Sequence, residues 1–377
     1  MKNGLLCCII LAISIGQTWG QSEKVVLWRT PEGGIQPQAL LDSEETIHLI
    51  YFKGIPKAGN LFYVFRKLGD PEWSKPIQIN TQDESAIAVG NIRGAQLALG
   101  QEGKIHVVWN GSASAEPQGI GGNPMLYTRS NKERTMFEPQ RNLITQFGGI
   151  DGGGSVAADL QGNVYVTWHA TGEAKEESGR AVYLAYSQNN GEIFASERRI
   201  NPGKTGACAC CGMRAFIDQD HSLYIAYRAA KNNSGRDMMI LLSKDKGKNF
   251  KEFMMDHWEA RVCPMSSVFL AEGKSGVFAA WETEQQVFFS LLKNLKPIAA
   301  SKGDSNTKHP VLVINAKEEI LLAWIVGMKW NTEGSLAWQI YDKKGQPTSE
   351  RGKTEGVPIW SLITAVTYKD GHFVVIY

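Results

Sequence analysis

The chain has 377 residues, 43% hydrophobic and 21% charged, with a formal net charge of +2. That is globular composition with ample material for a core, and its near balance of charge gives no electrostatic case for nucleic acid or an acidic membrane as partner. No apolar stretch is long enough to span a bilayer.

The first element is a secretory signal over residues 1–20. Lys2 supplies the positive start, Leu5 to Ile15 the short apolar run, and Thr18-Trp19-Gly20 the small-residue exit. The expectation is a mature chain of residues 21–377, secreted or periplasmic, with Cys7 and Cys8 lost. The mature chain then opens on Val25-Val26-Leu27-Trp28-Arg29, a strand without an adjacent partner.

A repeated phrase follows. It reads Ile47-His48-Leu49-Ile50-Tyr51, Ile105-His106-Val107-Val108-Trp109, Val164-Tyr165-Val166-Thr167-Trp168, Leu223-Tyr224-Ile225-Ala226-Tyr227, Val277-Phe278-Ala279-Ala280-Trp281, Ile320-Leu321-Leu322-Ala323-Trp324 and Phe373-Val374-Val375-Ile376-Tyr377. The aromatics recur at intervals of about 43 to 59 residues, the spacing of four-stranded propeller blades. A strand and a turn precede each phrase, as in Met213-Arg214-Ala215-Phe216-Ile217 before Asp218-Gln219-Asp220. Two such runs joined by a polar turn make an antiparallel hairpin. A third strand follows in most units, for example Ala181 to Tyr186, and then a short fourth such as Arg198-Arg199-Ile200. We label the four a, b, c and d.

Six units carry all four strands, and the seventh, Ser361 to Tyr377, carries only a and b. An open hairpin leaves an unpaired edge, and the Val25–Arg29 segment is placed to complete that blade in the position of strand d. The expected fold is an all-β propeller of seven blades in one domain, with six blades as the alternative if the short repeat around Trp324 is irregular.

The turns after strand c carry a second pattern. Ser243-Lys244-Asp245-Lys246-Gly247-Lys248-Asn249-Phe250 resembles the Asp-box of sialidase-type propellers, and Ser187-Gln188-Asn189-Asn190-Gly191-Glu192-Ile193-Phe194 is similar with Asn189 in the Asp position. Degenerate versions end at Trp73 and Phe137. In such a turn the carboxylate or amide holds the backbone, the glycine takes a positive φ, and the aromatic plugs the gap between sheets. The resemblance implies a sialidase-like propeller and, if it is an enzyme, a glycoside hydrolase of the exo-α-sialidase type. Sialidases place an Arg two residues before the Pro-Ala-Leu of their first a-strand. Here that stretch is Ile35-Gln36-Pro37-Gln38-Ala39-Leu40, with Ile35 in the Arg position.

In each hairpin the start of a, the end of b and the start of c share one rim, and the innermost a-strands crowd the axis there. That rim collects Gln36, Arg93, Asp151, Arg214, Trp360, His169, Arg228, Glu282, Arg236 and Asp237. Guanidinium groups suit a carboxylate or another planar anion. Arg93, Arg214, Arg228 and Arg236, with Gln36 and Trp360, are therefore candidate ligand anchors. Asp151, Asp237, Glu282 and His169 are candidate acid–base groups for hydrolysis of an anionic sugar. A monomer binding a small anionic or glycan ligand is the first reading.

The four cysteines of the mature chain stand at the starts of two neighbouring a-strands, Cys208, Cys210 and Cys211 before blade 4 and Cys263 before blade 5. Met213 and Met265 follow each group, and His309 opens the next blade. Two readings stand open. Export favours a disulfide, with Cys208 or Cys210 bridged to Cys263. Alternatively the thiols, thioethers and His309 form a soft-metal or redox site for copper or zinc. A third reading is an interaction scaffold in which disulfides only staple blades. The sequons at Asn110 and Asn232 match glycosylation acceptors. Gly152-Gly153-Gly154 reads as a turn that lets chains approach closely at the axis. His48 and His106 read as structural.

Overall fold

The computed structural model describes residues 24–171, 176–232, 234–260, 263–300 and 304–377. The signal expected over residues 1–20 lies outside them. No described helix is long and apolar enough to cross a membrane.

The strands form seven sheets. Blade 1 is Ile35–Leu41, Thr46–Ile55, Ala58–Lys67 and Ile77–Gln78. Blade 2 is Gln96–Leu99, Ile105–Asn110, Met125–Arg129 and Arg141–Asn142. Blade 3 is Ser155–Ala158, Val164–Ala170, Ala181–Ser187 and Arg198–Arg199. Blade 4 is Arg214–Ile217, Leu223–Arg228, Met238–Ser243 and Lys251–Asp256. Blade 5 is Phe269–Gly273, Gly276–Thr283, Gln286–Leu291 and Ile298–Ala299. Blade 6 is Thr307–Ile314, Ile320–Val326, Gly334–Tyr341 and Pro347–Val357. Blade 7 joins Thr364–Thr367 and Phe373–Ile376 to the N-terminal Val25–Trp28. Seven blades stand, so the six-bladed alternative is set aside.

Each sheet is covered on both faces by its neighbours, so the middle strands lose the apolar–polar alternation of a one-sided sheet. All residues of Ile105–Asn110 and Val164–Ala170 are buried. Four outer strands are only two residues long, which leaves little edge for pairing with another chain.

The repeated aromatic has one job. Tyr51, Trp109, Trp168, Tyr227, Trp281, Trp324 and Tyr377 each belong to the apolar cluster between their own blade and the one before it. Phe137 and Phe194 reach back in the same way, packing edge-on against Tyr63 and Tyr127 at 5.7 and 4.8 Å, and Trp73 packs on Trp28 at 5.7 Å. The turn that carries Phe250 is held by its own side chains. Ser243 Oγ donates to Asp245 Oδ1 at 2.7 Å and accepts from Gly247 N at 2.9 Å, and Asp245 Oδ1 accepts from Asn249 N at 2.9 Å. These bonds hold the Asp245 carboxyl down at about 2. His48 and His106 are buried and bonded to Tyr63 and Tyr127 at 2.7 and 2.8 Å.

The N-terminal strand closes the ring differently from the expected position d. It lies third in its sheet, parallel to Phe373–Ile376 in the register Val25↔Phe373 to Trp28↔Ile376. A strand arriving from the other end of the chain is free of the hairpin that forces antiparallel order. Phe373 is fully buried in the cluster that holds Val25. Phe373→Ala is expected to cost about 3–5 kcal/mol in urea denaturation. Removal of residues 24–30 is expected to shift the chain into aggregates on gel filtration, because it bares the edge of blade 7.

Candidate functional site

The starts of all seven a-strands meet around one axial cavity. Gln38, Gln96, Gly153, Arg214, Phe269, His309 and Ile363 contribute to its wall. Its volume of ≈ 40 Å³ admits a few waters or a small ion and no sugar ring. Arg214 crosses it. The guanidinium donates to Gln38 Oε1 at 3.2 Å and to Gln96 Oε1, and lies 4.5 Å over the Phe269 ring. Loss of solvent lowers its pKa to about 10, so it remains a cation at neutral pH. No described carboxylate pairs with it. His309, bonded to Ser267 Oγ at 3.2 Å, and Met213 line the same cavity.

The backbone is forced at this rim. Gln36, Met265, His309 and Trp360 precede or open their a-strands with φ of 54°, 46°, 52° and 60°, a region that side chains rarely occupy and that gathers at functional sites. Gly152 and Gly153 permit the closest approach. A Cβ on Gly152 would meet His169 Nε2 at 2.5 Å and Ala209 O at 2.8 Å, and one on Gly153 would meet Ile92 O at 2.3 Å.

Several anchors are spent on the chain itself. Gln36 donates to the carbonyls of Ala88, Gly90 and Trp360, each at 2.9 Å, and so ties three blades. Arg93 pairs with Asp151 and donates to Val89 O. Asp237 accepts from His257 Nδ1 at 2.7 Å and Trp258 N at 3.1 Å. Trp360 stacks edge-on against the exposed Trp330 at 6.0 Å. Asn110 is buried and donates to Gly152 O at 3.0 Å, so it is no glycan acceptor. Asn233, the centre of the other sequon, lies outside the described residues.

The remaining anchors gather around sulfur. Cys210 is linked to Cys263, with Cα atoms 6.4 Å apart, while Cys208 and Cys211 are free and buried. Cys208 Sγ lies 3.3 Å from Cys211 Sγ and 3.5 Å from Cys210 Sγ. Arg228 donates to Arg236 O at 2.7 Å, to Ser266 Oγ at 3.2 Å and to Glu282 O. Arg236 pairs with Glu177 Oε2 at 2.6 Å, and Arg180 donates to Gly149 O at 2.6 Å. The Nε of each of these three arginines is buried without a partner. Burial raises the Cys211 thiol, but the hydrogen bond with Cys208 and the charge of Arg228 outweigh it and hold the thiol down. Cys208 moves up, chiefly through that same hydrogen bond and then through burial.

His169 is buried with neither ring nitrogen bonded. Glu282 is fully buried; its Oε1 accepts from Gln285 N at 2.7 Å and its Oε2 has no partner. The expected metal set therefore divides. The cysteines converge, His309 and Met213 turn to the axial cavity, and Met265 is half-buried in the loop before blade 5. Cys208, Cys210 and Cys211 bring their sulfurs within 4.8 Å of one another, and Cys263 is bonded to the second of them.

Glu282 also borders a pocket between blades 5 and 6, of ≈ 510 Å³, with Trp258, Cys263, Pro264, Lys308 and Lys329. That volume suits a small organic ligand. Lys308 Nζ donates to Pro264 O at 2.7 Å, and Lys329 is exposed with no described carboxylate partner. Sequence reasoning missed Arg180, Glu177, Trp258 and Lys329. The rule that found Arg236, inspection of the residue before strand c, applied to blade 3 would have found Arg180. Trp258 and Lys329 stand in loops that no periodicity reaches.

The molecule is thus a β-propeller of seven blades with a polar rim. Its architecture resembles three solved enzymes at low identity. An ulvan lyase of a polysaccharide lyase family aligns with TM-score 0.57 and 12% identity over 89% of this chain and 88% of its own. The Hadza microbial sialidase Hz136 aligns at 0.52 and 12% over 82% and 70%, and an α-L-arabinanase of Penicillium chrysogenum at 0.54 and 9% over 82% and 94%. These likenesses establish the fold. No known family profile and no curated protein matches the sequence.

Burial pushes the pKa of His106, His169 and His309 each down to about 3, against about 6.5 for an unfolded histidine. Between those values the unfolded chain binds more protons than the folded one. Stability is then complete above about pH 6.5 and falls as pH drops. The urea midpoint is expected to fall between pH 7 and pH 5, and His309→Gln to make that fall shallower. A flat midpoint over that range refutes the neutral buried state. Peptide mapping without reductant is expected to yield a Cys210–Cys263 peptide, and Cys263→Ser to cost about 4 kcal/mol for its separation of 53 residues.

Proposed function

We propose that this propeller binds an acidic saccharide on the rim where the a-strands begin, in the pocket between blades 5 and 6. The observation that carries the reading is the pairing of two lysines with a buried, half-satisfied carboxylate around one ligand-sized space. Lys308 and Lys329 offer positive charge, the half-buried Trp258 an aromatic wall, and Gln285 an amide. An ammonium group receives a carboxylate or sulfate as a point charge, and a ring with a polar edge meets a sugar that has both apolar faces and hydroxyls. The axial cavity is too small for this role, so Arg214 supplies field and not contact.

Glu282 is the acid–base group of this site. Its Oε2 is buried without a partner beside the pocket, free to bond a ligand group that comes within hydrogen-bond reach. Hydrolysis through two carboxylates needs a second one opposite, and Glu282 is the only acid in the described lining. Binding is accordingly the core of the proposal. The solved neighbours named as a sialidase, an ulvan lyase and an arabinanase support a carbohydrate ligand.

Calorimetry against oligosaccharides bearing sialic or uronic acid, with neutral sugars as controls, tests the reading. Acidic sugars are expected to bind and neutral ones to fail. Lys308→Ala with Lys329→Ala is expected to weaken binding at least about tenfold, roughly 1.4 kcal/mol. Indifference to both lysines, or no binding of any acidic sugar, refutes it.

A further inference from the structure

We propose that Cys208, Cys210 and Cys211 form a trigonal thiolate site for Cu(I), and that the Cys210–Cys263 disulfide is the redox cap that closes it. The proposal is independent of the saccharide reading.

The three sulfurs lie within 4.8 Å of one another on a single buried loop. The loop is fixed from three sides: Cys208 N donates to Arg228 O at 2.9 Å, Ala209 N to Glu177 Oε1 at 3.3 Å, and Gly212 N to Ser266 O at 2.9 Å. A site set by neighbouring blades loses little freedom when an ion enters. Soft thiolates select soft ions, Cu(I) among them, and three sulfurs packed against Ala230 suit an ion content with low coordination. Zn(II) takes a fourth ligand; the described His, Asp and Glu side chains offer none within that sulfur group, and the fourth sulfur freed by reduction is that of Cys263, which Cys263→Ser removes.

Charge gives the second argument. Three thiolates around a monovalent ion carry two negative charges, which burial alone would forbid. The charges of Arg180 and Arg236 act on Cys208 and that of Arg228 on Cys211, and each of these arginines keeps a buried Nε without a partner. Glu177 offsets part of Arg236, and the charge of Glu282 acts on Cys211. A structural disulfide needs no such cationic shell, whereas an anionic metal–thiolate complex does.

The cap follows from exposure. Cys263 is exposed and borders the blade 5–6 pocket, while Cys210 is half-buried. An external dithiol attacks the Cys263 sulfur, the Cys210–Cys263 bond breaks, and Cys210 departs as thiolate beside the arginines. The second thiol of the reductant then resolves the mixed disulfide. The reductant leaves as its own disulfide, having supplied two electrons and two protons. Cu(I) binding displaces the protons of Cys208, Cys210 and Cys211.

The test is an anaerobic Cu(I) titration of the full mature chain in competition with a chromogenic Cu(I) chelator. Chain reduced with a phosphine and desalted is expected to retain one Cu(I), and X-ray absorption to show three sulfur neighbours. Oxidised chain should bind at least about 100-fold more weakly. Cys263→Ser, which frees Cys210, should bind without reduction, and its far-UV circular dichroism should report the native fold. Cys208→Ser and Cys211→Ser should each lose at least about 100-fold. Equal binding by oxidised chain or by Cys208→Ser overturns the proposal. So does absence of copper from both reduced chain and folded Cys263→Ser, or displacement of the copper by stoichiometric Zn(II).

Discussion

Closure of the ring is the constraint on which the rest depends. A four-residue parallel pairing, Val25–Trp28 on Phe373–Ile376, joins the two ends of the described chain, and Thr30 N donates to Tyr377 O at 2.9 Å just beyond it. Only then do blades 7 and 1 have faces to bury, through the cluster around Tyr51, while the seam between blades 6 and 7 gains Val25 and Leu27. Hydrophobic burial at seven seams is the large term, but the last of them exists only in the closed form. Every a-strand start is then held at one radius, which sets the width of the axial cavity.

That width decides where a ligand goes. A cavity of ≈ 40 Å³, crossed by Arg214 and squeezed by the glycines at 152 and 153, keeps the positive charge but excludes the sugar. Space opens off the axis instead, where the loops after strand b of blades 5 and 6 stand apart. The likeness to a solved sialidase is one of fold. The rim arginines of this chain bond to backbone carbonyls, to Glu177 and to Asp151.

Polar burial is concentrated between blades 3, 4 and 5. His169, three arginines, Glu282, Cys208 and Cys211 are buried there beside the half-buried Glu177 and Cys210, with several atoms unsatisfied. Unpaired buried polar atoms cost stability, and a fold tolerates them where they serve a site. Cys263 touches both this group, through its bond to Cys210, and the pocket between blades 5 and 6.

The sequence by itself determined the blade repeat. Each seam needs one large ring at the end of strand b, so Tyr51, Trp109 and their successors had to recur, and their period was legible. It determined the shared rim as well, because hairpin direction alone puts strand starts and ends together. Gln36 shows where that reasoning ends: its position was legible, its role as a tie among carbonyls was not. Only the tertiary structure decided which rim residues meet. The angle between blades, which no local pattern encodes, brought Cys263 to Cys210, turned His309 and Met213 away from the sulfurs, and raised Trp258 and Lys329 from unpatterned loops into a pocket wall. Contacts between blades depend on long-range packing geometry, whereas the repeat depends only on what each strand must bury.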